Sequence, residues 1–68
     1  MSIGENITAA RQQAGLSECE LADRLQVAET YLIELERGDW GPSRHMLALL
    51  ADALRVPIEQ LIERGNDG

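Results

Sequence analysis

Thr30, Ile33, Glu34 and Arg37 recur at spacings of three, four and seven, the repeat that places side chains on one arc of a helix. The arc carries a hydroxyl, a carboxylate, a guanidinium and one apolar group. Such groups donate, accept and carry charge, so their chemistry is recognition by contact. Bond-making chemistry has little to draw on. His45 is the only histidine and Cys19 the only cysteine, and no histidine neighbours the thiol. No metal-ligand cluster, phosphate-cradling glycine loop or Ser-His-Asp set can be assembled, so neither an enzyme, a metal nor a cofactor is expected.

The elements that must position this arc are read from start and stop signals. Ser2 and Glu5 have capping-box spacing, in which hydroxyl and carboxylate satisfy free backbone N–H groups. They open a helix from about Ile3 to Gln13, with Ile3, Ile7 and Ala10 inward and Gly15 ending it. Ser17 and Glu20 repeat the box before a helix from Glu18 to Leu25. A short turn at Gln26 and Val27 leads to a third helix, Ala28 to Arg37, stopped by Gly38. Ser43 caps a fourth, ending near Leu54, with Met46, Leu47, Leu50, Ala51 and Leu54 on its apolar stripe. Pro57 starts a fifth, to about Arg64, with Ile58, Leu61 and Ile62 facing the core. Residues 65–68 read as a frayed tail. Glycine and proline fall between the segments, and no strand-like alternation appears.

The chain has 68 residues, room for one domain, 1–68. With 44% hydrophobic residues but only Trp40 and Tyr31 aromatic, the core must be aliphatic, which suits helices. The expected class is all-α with five helices. Two capped helices joined so tightly make a helix-turn-helix over about residues 17–37, in which the second helix enters the major groove of DNA and the first crosses the backbone. That groove, roughly 12 Å wide, admits one helix.

The stretches IGENITAARQQAGLS, ELADRLQVAETYLIELERG, PSRHMLALLADAL and VPIEQLI, in this order and spacing, resemble the phage-repressor family, the Cro and cI type of helix-turn-helix. The resemblance runs from about Ile3 to Ile62. It implies a lambda-repressor-like domain that binds double-stranded DNA and regulates transcription, commonly as a repressor and a homodimer. It implies base contacts from Glu29, Thr30 and Glu34, with Ile33 beside them. It implies a DNA contact at Glu18, at the start of the second helix, where the family often has Gln, and phosphate contacts from Arg44 and Arg37. Arg11 and Glu36 match positions that form a partly buried ion pair between the first and third helices. The dimer contact would come from the loop and last two helices, including Trp40 and Leu61 or Ile62. Ala28 replaces the usual capping Ser, which removes a cap worth about 1 kcal/mol.

The charge runs against this reading. The net charge is -6, whereas DNA-binding domains usually carry a basic footprint. Glu18, Glu29 and Glu34 repel phosphate, although glutamate can accept from cytosine N4. An acidic third helix with Ile33 outward suits a protein partner as well. The alternative is therefore a protein-interaction module that reuses the fold, and YLIELERGDW has a local likeness to such a module in a bacterial cytoskeletal family. No apolar run reaches the roughly 18 residues of a membrane span, and Met1 to Asn6 lacks a secretion signal. A single cysteine fits a reducing cytoplasm.

Overall fold

The computed structural model describes residues 2–62. It holds five helices: α1 (Ile3–Gln13), α2 (Glu18–Leu25), α3 (Glu29–Arg37), α4 (Arg44–Leu54) and α5 (Ile58–Ile62). Among the described residues there is no strand. The continuation of the fifth helix to Arg64 and the frayed tail at 65–68 lie outside the described residues.

Both capping boxes form. Ser2 Oγ accepts from the Glu5 amide at 3.1 Å, and Glu5 Oε1 accepts from the Ser2 amide at 3.1 Å. Ser17 and Glu20 make the same exchange at 3.0 and 2.8 Å. Each box satisfies two amides that the helix itself leaves without a partner. Ser43 Oγ accepts from Met46 N at 3.1 Å at the start of α4. Ala28 offers α3 no side-chain cap, so this helix starts without one.

Helix ends required more than glycine. Gly15 and Gly38 take positive φ, but so do Gln26 (62°) and Arg55 (60°), which close α2 and α4. A left-handed residue with a β-carbon costs roughly 1–2 kcal/mol. The cost is accepted because the turn must bring the next helix back at once. At Gln26 the reversal also lets Val27 N reach Ala22 O at 3.0 Å, so carbonyls at the end of α2 keep partners.

The core is aliphatic. Ile7, Leu21, Leu32, Leu35, Leu50 and Leu61 are fully buried, and Ala10, Ala22, Leu25, Leu47, Ala51 and Leu54 complete the cluster. Helix α3 packs on α1 and α2, and α5 on α1 and α4. Ile62 differs from expectation: it is 40% exposed, while Leu61 beside it takes the inward position.

Glycine is not confined to the loops. Gly4 lies inside α1, buried against α3. A β-carbon there would stand 2.5 Å from the Glu36 carbonyl oxygen and 2.8 Å from that of Leu35. Two residues on, Asn6 is 3% exposed, and its Nδ2 donates to the Leu61 carbonyl at 2.7 Å. The amide thereby satisfies a buried acceptor on α5. So α1 meets α3 backbone to backbone and holds α5 by a side chain.

Gly4→Ala should cost roughly 1–3 kcal/mol, because the clash is with backbone that cannot swing aside. Gly41→Ala, where nothing stands within 4 Å, is the control and should change little. Urea melts of both variants check this; equal midpoints would contradict the close approach.

Candidate nucleic-acid interface

Three residues, Gln26 to Ala28, separate α2 from α3. Leu32 and Leu35 anchor the inner side of α3 in the core. Opposite them, Thr30, Glu34 and Arg37 are exposed together, and Glu29, at the first position of the helix, is exposed beside them. The amphipathic spacing of α3 produces this division. Ile33, also expected on the outer arc, is half-buried, since it sits at the border of the two faces. Arg44 opens α4 and is exposed.

Beneath the outer face lies an ion pair. Arg11 Nε donates to Glu36 Oε2 at 2.8 Å, and Nη2 approaches Oε1 at 3.4 Å. Arg11 Nη1 donates to the Leu16 carbonyl at 2.9 Å. The side chains are 12% and 6% exposed. One guanidinium thus joins α1, the α1–α2 loop and α3. Glu18 is half-buried at the start of α2.

Glu36 holds its proton above its ordinary value of 4.5, first through burial. Arg11 opposes that shift by hydrogen bond and charge, Glu18 adds to it, and Thr8 opposes it weakly. Burial outweighs the guanidinium here, as happens when desolvation exceeds the Coulombic gain.

The cluster decides which cations remain. Arg11 is committed to Glu36 and Leu16. Arg37 approaches Asp39 at 3.6 Å, but both are exposed and the pair is weak. Arg24 and Arg44 are exposed and stand outside both ion pairs. Among the described residues neither Glu29 nor Glu34 belongs to an ion pair, and no group of three or more His, Cys, Asp or Glu could hold a metal ion. No described helix is long and apolar enough to cross a membrane.

Trp40 is half-buried on the loop after α3, edge-on to Tyr31 with ring centroids 4.5 Å apart. Leu61, expected to be available to a second subunit, has no exposure at all and cannot serve. Sequence reasoning missed the roles of Gly4 and Asn6. Two signals were present. Asn6 falls between Ile3 and Ala10 on the apolar stripe, where a polar residue needs a buried partner. Gly4 occupies a helical position that Ala would fill more stably.

Comparison with known proteins agrees with this geometry. A family model described as a helix-turn-helix domain matches residues 2–64. The chain is similar to the immunity repressor protein of Bacillus phage phi105, at 29% identity over 62 residues, covering 91% of this chain and 43% of that protein. It is 42% identical over 63 residues to an uncharacterized HTH-type transcriptional regulator of Mycobacterium tuberculosis, covering 93% of this chain and 45% of the relative. It is 34% identical over 65 residues to the transcriptional regulator ClgR of the same species, covering 94% and 58%. The chain thus spans about half the length of the relatives it matches.

The ion pair makes a two-part prediction. Arg11→Ala strands a buried carboxylate and should cost roughly 3 kcal/mol at about pH 7, with a smaller loss near pH 4, where Glu36 gains a proton. In the wild type, Glu36 has its raised value only when folded. Its contribution is most favourable below 4.5 and declines as pH rises through the interval from 4.5 to the raised value. Glu36→Gln should remove that decline. Denaturant melts across pH check both; a loss in Arg11→Ala that does not shrink in acid would contradict the assignment.

Proposed function

The chain belongs to the helix-turn-helix domain family, and from that premise we propose that it is a sequence-specific DNA-binding transcriptional regulator whose helix α3 reads the major groove. The observation that carries this reading is the exposed polar face of α3, held out from the core by a three-residue turn and braced by α2. In the family geometry the second helix of such a pair lies in the groove and the first crosses the backbone. Glu29, Thr30 and Glu34 then address base edges, with Ile33 at the margin. Arg37 and Arg44 address phosphates. Glu18, half-buried at the start of α2, stands nearest the DNA backbone.

The relatives named above are regulators and a repressor, and on that ground DNA binding is preferred to the protein-interaction module. Residues 1–68 would act as one domain, on DNA in the cytoplasm. A homodimer would place two α3 helices in half-sites about 34 Å apart. With Leu61 buried, Ile62 is the residue of the expected contact set on α5 that remains exposed enough to meet a second copy.

Few cations are free to neutralise phosphate, and the slope of log affinity against log salt is about -0.9 per phosphate neutralised. The domain should therefore bind duplex DNA with a shallow slope, of magnitude about 2 to 3 per subunit. Arg44→Ala should weaken cognate and scrambled duplexes alike and reduce that slope by about 1. Fluorescence titrations over about 50–200 mM salt measure both. No binding to any duplex at the low end would overturn the reading.

A further inference from the structure

On the DNA-reading assignment just made, we propose that Glu29 and Glu34 select half-sites that present cytosine amino groups to α3. The argument begins with what a carboxylate can do: it accepts hydrogen bonds and donates none. Both side chains are exposed on the outer face of α3, and neither belongs to an ion pair among the described residues. Among the described residues, nothing on the protein therefore uses up their acceptor capacity.

The base edges divide accordingly. Guanine shows the major groove two acceptors, N7 and O6, and repels a carboxylate. Thymine shows an acceptor and a methyl group. Adenine offers its N6 amino group, but the N7 acceptor lies beside it and opposes the second carboxylate oxygen. Cytosine offers the N4 amino group with no acceptor of its own on that edge. A glutamate at a reading position thus favours cytosine and disfavours guanine most strongly.

Charge sharpens this selection. Each glutamate brings a negative group toward the phosphates, and the committed Arg11 cannot offset it. Where no amino group meets the carboxylate, the cost of desolvating it stands alone. Wrong sites are penalised as well as right ones rewarded, which separates them further. Glu29 and Glu34 are five residues apart, about 7.5 Å along the helix axis and about 140° around it. The axial separation is about two base-pair steps at 3.4 Å each. The two cytosines therefore stand at separate positions of the half-site.

The test is enrichment of bound sites from duplexes with a randomised centre, using wild type, Glu29→Gln and Glu34→Gln. Circular dichroism first establishes that each variant is folded, as exposed positions allow. Wild type should enrich cytosine at two positions, and each variant should lose the preference at one of them, by roughly 5- to 100-fold. Glutamine can bond both N6 and N7 of adenine, so the altered position should turn toward adenine. A second measurement modifies the enriched site. N4-methylcytosine at either position should weaken binding about tenfold, equivalent to about one lost contact. Inosine in place of the paired guanosine changes only the minor groove and should leave affinity unchanged. Enriched sites in which neither variant alters a cytosine would overturn this inference and leave DNA reading standing. No enrichment of any sequence would overturn both.

Discussion

At Gly4 the first helix comes so near the carbonyls of Leu35 and Glu36 that no β-carbon fits between them. Helix α3 is thereby fixed on its inner side by backbone contact, with little side-chain freedom at the join. The Arg11–Glu36 pair lies along the same junction and ties it to the α1–α2 loop. Leu32 and Leu35 fill the core behind it. With the inner side so constrained, the outer side needs no contact with the rest of the fold to hold its orientation. Recognition depends on such preorganisation, since each side chain ordered on binding costs free energy.

The ion pair carries a second consequence. An acidic chain has few cations, and the fold spends one of them inside. Burial of Glu36 works against the guanidinium's attraction. The pair's geometry supplies direction: two of the guanidinium nitrogens are aimed at one carboxylate and a third at a backbone carbonyl. The charge left on the outer face is then mostly negative. A protein with that face must find its affinity in base edges more than in phosphates.

Much of the fold was legible because its signals are local. Ser2 with Glu5 and Ser17 with Glu20 mark helix starts without knowledge of tertiary structure. The apolar periods of α2, α3 and α4 name Leu21, Leu32, Leu35, Leu47 and Leu50 as core, and all are buried. The exposure of Glu29, Thr30, Glu34 and Arg37 follows from the same periodicity. What escaped depends on contacts between distant segments. The partner of Asn6 is 55 residues away on α5. Glycine inside α1 has meaning only once α3 lies on it. Gln26 and Arg55 adopt left-handed backbone because the following helices must return, a demand invisible in their side chains. Ile62 faces outward because Leu61 and Ile58 supply the inward contacts of α5, and Ile33 is half-buried where periodicity alone places it outward.

The missing cap on α3 leaves its first turn unlike those of α1, α2 and α4. No hydroxyl seals the start at Ala28, and the amides of Tyr31 and Leu32 share the Ala28 carbonyl, at 3.1 and 3.4 Å. The far end is different: Leu35 is buried beneath α1 and cannot open alone. In terms of hydrogen exchange, α3 is a graded element. Its amides near Glu29 open by local fraying, whereas those near Leu35 open only when the whole domain unfolds. The softest turn of this helix is the one that carries Glu29 and Thr30, so those side chains can adjust their reach while the axis of the helix stays in place.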